Sequence, residues 1–244
     1  MLDRPAILLL VCTGALVPLF PGAAGAPLHA NEAAEQAELE SFLKDWSRTS
    51  DEVKTLEVRF RQEKFLKLLR KPLVSEGTVR LAEGRLKCVV RDHRGKLDSV
   101  LLVEREVLRI FYPRHKRLEI YDLATSQAPA MAFPIFGSDP ERLKRDYNIT
   151  LAGVREKRKL TLTPKDKESP VGPMTLEFSK TEIQAVEQLD GAGNRVRMTI
   201  ESFERNPKLD AGDLALELPK GIRTVRPLDG KKRRKAGREG KNDE

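Results

Sequence analysis

The chain has 244 residues, a formal net charge of +8, and 39% hydrophobic and 34% charged residues. That suits one large domain with tails and a heavily charged exterior. No G-x-S-x-G, P-loop, H-E-x-x-H or paired C-x-x-C occurs, which excludes the local constellations of serine hydrolases, nucleotide hydrolases and zinc proteases.

Residues 1–30 read as a secretory signal peptide. Arg4 precedes the apolar run Ala6 to Phe20, and Leu28-His29-Ala30 ends in the small residue that signal peptidase needs. Cleavage after Ala26 would leave Pro27 next in line, so Ala30 is the better exit. The run is shorter than the ~18 residues of a spanning helix, and Gly14, Pro18 and Pro21 break it. Cys12 lies inside it and leaves with it. Cys88 is then the remaining cysteine and no intramolecular disulfide is expected. Cys88 falls in a strand pattern, as a small buried apolar residue.

Asn31 to Ser50 is the first helix, with Leu39, Phe42, Leu43 and Trp46 along one stripe at i, i+3, i+4 and i+7. Strands follow at Leu56 to Gln62, Glu76 to Leu81 and Leu86 to Val90, the last two joined through Glu83-Gly84 as a hairpin. Phe65 to Pro72, between the first two, is basic and leucine-rich, a poor strand and a candidate hairpin tip.

Val100 to Leu123 is the centre of the pattern. Apolar runs Val100 to Val103, Val107 to Phe111 and Leu118 to Tyr121 are split by charged or Pro-containing turns. Leu108/Ile110 and Leu118/Ile120 repeat every second residue, with Arg109 and Glu119 between them. That predicts a sheet with one apolar face and one charged face in water.

Ala124 to Asp139 is apolar, rich in small residues and broken by Pro129 and Pro134, so it is no long helix. From the residues alone it is a plug over a core or a mobile cover over a cavity, with the plug favoured. Pro140 to Arg145 is a short helix capped by Asp139. Strands then recur at Tyr147 to Leu151, Lys159 to Thr163, Met174 to Ser179, Ile183 to Leu189, Arg195 to Ser202 and Leu214 to Leu218. Beyond Pro227 the chain carries Lys231 to Arg238 with almost nothing apolar, the composition of a disordered basic tail.

The fold class is therefore mainly β (α+β): an open, curled antiparallel β-sheet or half-barrel with helices over its apolar concave face. The domains are 1–30 signal, 31–227 folded and 228–244 tail. His93 and His115 stand alone in turns, so no metal site is expected. Such a sheet either packs solidly or encloses an apolar cavity suited to an acyl chain, and composition does not choose. A second class, an anionic-polymer binder acting through the tail, lacks stacking aromatics there.

Several local marks occur in order: Phe60-x-Gln62, then Glu76-Gly77-Thr78-Val79-x-Leu81, Leu108-Arg109-Ile110-Phe111-Tyr112-Pro113 and Tyr147-Asn148-Ile149. Leu160 to Lys165, Ala185-Val186-Glu187-Gln188 and Leu218-Pro219-x-Gly221 complete them. By these the chain resembles the LolA-like outer-membrane lipoprotein carrier family, from the first helix to Val225.

The resemblance implies a periplasmic carrier without catalysis or cofactor. It would take lipoproteins from an inner-membrane ABC exporter, shield their acyl chains and pass them to an outer-membrane acceptor. Carriage of another lipid, or lipoprotein sensing, is the alternative on the same fold. The chain is expected to be a monomer that binds no nucleic acid. The resemblance places Phe60, Leu86, Val90, Leu108 and Ile110 on the cavity wall. It makes Ala124 to Phe136 a movable cover, with Met131, Phe133, Ile135 and Phe136 on its underside. Family members often carry an Arg-Pro pair and a later aromatic around the strand of Leu86. Ala82-Glu83 and Cys88 stand at those positions here, so the Arg latch on the cover is not carried over.

Overall fold

The computed structural model describes residues 28–123, 140–167, 171–190 and 193–227. The expected cover residues Met131, Phe133, Ile135 and Phe136, the expected basic tail and most of the expected signal peptide lie outside them.

Helix α1 (Leu28–Asp51) begins slightly before the expected Asn31 and leads into β1 (Thr55–Phe65). The strands β2 (Leu73–Ala82), β3 (Arg85–Asp92), β4 (Leu97–Glu104), β5 (Val107–Tyr112) and β6 (Arg117–Asp122) follow as an antiparallel meander. After α2 (Pro140–Asp146) comes a second meander: β7 (Tyr147–Val154), β8 (Lys157–Pro164), β9 (Val171–Ser179), β10 (Glu182–Asp190) and β11 (Arg195–Arg205). The long strands β1 and β11 pair from Leu56↔Arg205 to Phe65↔Arg195 and weld the meanders into one sheet.

Among the described residues the sheet has 12 strands, with β7 at one edge and the short β12 (Arg223–Val225) at the other. Strands β7 and β12 do not pair with each other among the described residues, so the sheet stays open. Bulges at Arg59/Phe60, Val90/Arg91 and Ile183/Ala185 add local twist, which curls it. At the expected β2–β3 hairpin, Glu83 and Gly84 take φ of 51° and 69°, the left-handed pair of a tight two-residue turn.

Residues opposite each other in a ladder share a face, so register decides which side chains meet. On the inner face the α1 stripe of Leu39, Phe42, Leu43 and Trp46 packs over Leu160, Leu162, Met174, Leu176 and Phe178. Phe178 meets the Phe42 and Trp46 rings edge-on, at 5.0 and 5.3 Å between centroids.

Two expectations fail here. The first is that Leu108/Ile110 and Leu118/Ile120 share a face. Register pairs Leu108 with Tyr121 and Ile110 with Glu119, which turns Leu118 and Ile120 to the opposite side. The alternation within each strand was right, but the turn between them offsets the patterns by one residue.

The second is that Leu214 to Leu218 is a strand with water beyond the outer face. Ala211–Leu214 is a 3₁₀ turn, and the chain then crosses the back of the sheet as an irregular strap. Leu216 and Ile222 on the strap pack against Val100, Phe111 and Leu118. Asp213 lies 3.6 Å from Arg80 on β2, and β12 ends the strap in parallel pairing with β6. The water-facing outer surface belongs to the other half of the sheet. There Lys159, Glu177, Arg197 and Glu187 form a ladder of charges across β8 to β11.

Candidate functional site

The inner face of β1 to β6 forms the second half of the core. Leu56, Val58 and Phe60 of β1 point inward at alternate positions, as do Leu86, Cys88 and Val90 of β3 and Leu108 and Ile110 of β5. All the predicted wall residues, Phe60, Leu86, Val90, Leu108 and Ile110, fall in this one cluster, each at most 7% exposed. Met198 and Ile200 of β11 touch both this cluster and the one under α1. The apolar face is thus continuous across the seam between the meanders.

None of the five predicted wall residues lines the pocket that opens beside the cluster. This pocket of about 110 Å³ lies at the seam, under the C-terminal end of α1. Trp46, Thr49 and Ser50 of the helix roof it, and Leu56, Leu81, Ile183 and Phe203 form its floor. The roof hydroxyls are already used: Thr49 Oγ1 donates to the Asp45 carbonyl at 2.8 Å and Ser50 Oγ to the Trp46 carbonyl at 2.9 Å. With those donors spent on the helix, the wall offers an incoming group chiefly apolar surface. Arg205 stands at the rim, 3.6 Å from Glu182, with its guanidinium 5.3 Å from the Phe203 ring centroid.

The sequence reading missed Leu81, Thr181, Ile183 and Phe203 as a group. Leu81, Ile183 and Phe203 sit on β2, β10 and β11 and Thr181 in the turn before β10, and the β1–β11 pairing brings the two groups together.

A polar group lies at the β6 end of the same inner face. Tyr121 donates to Glu119 at 2.9 Å, and Arg117 pairs with the other Glu119 oxygen at 3.1 Å. The Arg117 guanidinium also lies 5.0 Å from the Tyr112 ring centroid. Burial, and then the bond to Glu119, pushes the Tyr121 hydroxyl well above its usual range; Tyr112 shifts upward chiefly through burial. Glu119 had been expected on a water-facing surface; it is instead 9% exposed and satisfied by these partners.

Cys88 is buried on the apolar face, where desolvation pushes its thiol up to about 12. A thiol so disfavoured as an anion behaves as a small apolar residue. Among the described residues no group of His, Cys, Asp and Glu is placed to hold a metal ion. Nor is any helix among them long and apolar enough to cross a membrane.

Two curated relatives are named outer-membrane lipoprotein carrier protein. That of Chromohalobacter salexigens is 21% identical over 128 residues, 52% of this chain and 60% of the relative. That of Cupriavidus pinatubonensis is 29% identical over 101 residues, 41% of this chain and 46% of the relative. The matches thus span less than two thirds of either relative.

Among solved structures, an uncharacterized conserved protein from Thermus thermophilus has a TM-score of 0.49 at 12% identity. It covers 78% of this chain and 99% of its own. A LolA superfamily protein from Nitrosomonas europaea has a TM-score of 0.38 at 10% identity, covering 71% and 97%. The family model of the outer membrane lipoprotein carrier protein LolA matches residues 51–214. That match runs from the end of α1 to the 3₁₀ turn before the strap, and so takes in both meanders and the seam pocket floor. The chain belongs to the LolA family of outer-membrane lipoprotein carrier proteins.

Proposed function

We propose that this protein is a periplasmic carrier that shields the acyl chains of lipoproteins on the inner face of its sheet, between an inner-membrane ABC exporter and an outer-membrane acceptor. The continuous apolar face with a pocket at its seam, in a chain of this family, carries the reading. Each methylene moved from water to such a face is worth about 0.8 kcal/mol, so an acyl chain has a strong reason to enter.

The pocket is about 110 Å³, whereas ligand pockets usually hold about 300–1,000 Å³. Loading therefore requires the roof to part from the floor. Helix α1 is the element placed to do so, because its stripe rests on side chains of the sheet and not on backbone ladders. The predicted wall residues Phe60, Leu86, Val90, Leu108 and Ile110 then become the surface on which the acyl chain extends.

The single Trp of the chain, Trp46, roofs the pocket, and its emission reports on occupancy. A dibrominated fatty acid should quench it saturably, and a triacylated lipoprotein peptide should restore it by competition. Ile183→Glu should abolish the quenching with the far-UV spectrum unchanged. Absence of quenching in a folded chain that also copurifies with no lipid by mass spectrometry would rule the carrier reading out.

A further inference from the structure

The β1–β2 hairpin ends in a projecting tip, residues 66–72, that packs no apolar residue of its own into the core. At its apex Leu68 is 97% exposed, with Leu69 at 45% and Leu73 at 51%. Isolated exposed leucines are common, but a group of them on one protrusion marks a contact surface.

Lys64, Lys67, Arg70 and Lys71 surround these leucines, and no carboxylate occurs between Glu63 and Glu76. None of these cations has an ion-pair partner among the described residues, although most other Arg and Lys of the sheet do.

The tip is held in place. The Leu69 amide donates to the Leu66 carbonyl at 2.9 Å and the Lys67 amide to Asn194 Oδ1 at 3.2 Å. At its base the Arg195 guanidinium lies 4.0 Å from the Phe65 ring centroid. The antiparallel order brings the β3–β4 and β5–β6 turns to the same end of the sheet, with exposed Arg94, Lys96 and Lys116. Exposed apolar side chains ringed by cations complement one chemistry: an anionic headgroup layer with acyl chains beneath it.

We propose that the 66–72 tip docks this protein on anionic bilayer surfaces, Leu68 and Leu69 entering the acyl boundary while the surrounding cations meet lipid phosphates. The site is separate from the seam pocket, which opens at the opposite end of the strands between Leu56 and Phe203. It does not depend on what that pocket holds.

The test is co-flotation of the mature protein with vesicles of phosphatidylethanolamine and phosphatidylglycerol, against vesicles of phosphatidylcholine. Binding is expected to the first, to weaken with salt, and to fall at least about tenfold in Leu68→Ser/Leu69→Ser. Each of Lys67→Gln and Arg70→Gln should cost about fivefold. Thermal unfolding and Trp46 quenching by the brominated fatty acid should stay as in the unsubstituted chain, which separates this inference from the carrier reading.

Because Lys231 to Arg234 would also attract anionic lipid, the same series is run with Lys231, Lys232, Arg233 and Arg234 replaced by Gln, and the dependence on Leu68 should persist. Flotation unaffected by Leu68→Ser/Leu69→Ser, or binding lost only with the tail substitutions, overturns the proposal. So does a vesicle-free dimer in sedimentation that Leu68→Ser dissolves, which would assign the tip to a second copy of the chain.

Discussion

The ring of Phe60 lies across Gly77, its ladder partner on β2, and fills the space a side chain there would need. A Cβ on residue 77 would stand 2.7 Å from Phe60 Cε1 and 2.8 Å from the Val89 carbonyl oxygen. The glycine is what lets an aromatic ring lie flat on the inner face instead of standing up into it. Gly77→Ala should cost about 1–3 kcal/mol in urea unfolding, the usual penalty of overpacking. Adding Phe60→Leu should recover part of the loss, and purely additive effects would show that the ring is not what occupies the space.

Ile110 and Leu118 lie on neighbouring strands but on opposite faces, in different clusters. Alanine at either should destabilise by about 2–5 kcal/mol. Only Ile110→Ala should alter the affinity for an acyl probe, because Leu118 faces the strap. Equal effects of both on probe binding would contradict the assignment of faces.

Leu214 is 3% exposed at the start of the strap, beside β2 and β3. If the strap belongs to the cooperative fold, Leu214→Ala should lower stability by about 2–5 kcal/mol and speed proteolysis between residues 207 and 222. Unchanged stability would make the strap a late, separable addition.

Glu177 titrates below the usual carboxylate range. Hydrogen bonds from Arg197, at 3.4 and 3.0 Å, are the largest cause, and they outweigh desolvation. A carboxyl depressed on folding contributes its stability above its unfolded pKa of about 4.3, and that contribution disappears as pH falls through the folded value. Stability should therefore decline below about pH 5, with Glu177→Gln shallower by about 1 kcal/mol or less for so open a pair. A variant with an identical acid limb would remove Glu177 from the account.

Cys88, with its thiol pushed up to about 12, should resist Ellman's reagent in the folded chain. Labelling at neutral to mildly alkaline pH should be at least about a hundredfold slower than in urea. Labelling at a rate independent of denaturant would mean that the inner face is open to solvent in the resting protein.

The strands, the α1 stripe and the apolar side of β1, β3 and β5 were legible because each depends on spacing within one segment. Leu56, Val58 and Phe60 alternate regardless of what pairs with them, and Leu39, Phe42, Leu43 and Trp46 recur at helical intervals in the bare sequence. The Glu83-Gly84 turn was legible too, since its backbone demand is local.

Tertiary structure alone decided what depends on register and on partners remote in the chain. Nothing within Leu118 to Tyr121 says which of its two faces meets Ile110; the pairing with β5 sets that. Leu214 to Leu218 looks like a strand by composition, yet it joins no ladder: Leu216 covers Phe111 and Leu118 at the back of the sheet, while Leu218 stays exposed. The seam pocket exists because β1 pairs with β11, bringing Leu56 beside Phe203 across a long stretch of sequence. Local spacing sets where each side chain points along its own element, and only long-range pairing sets what it meets.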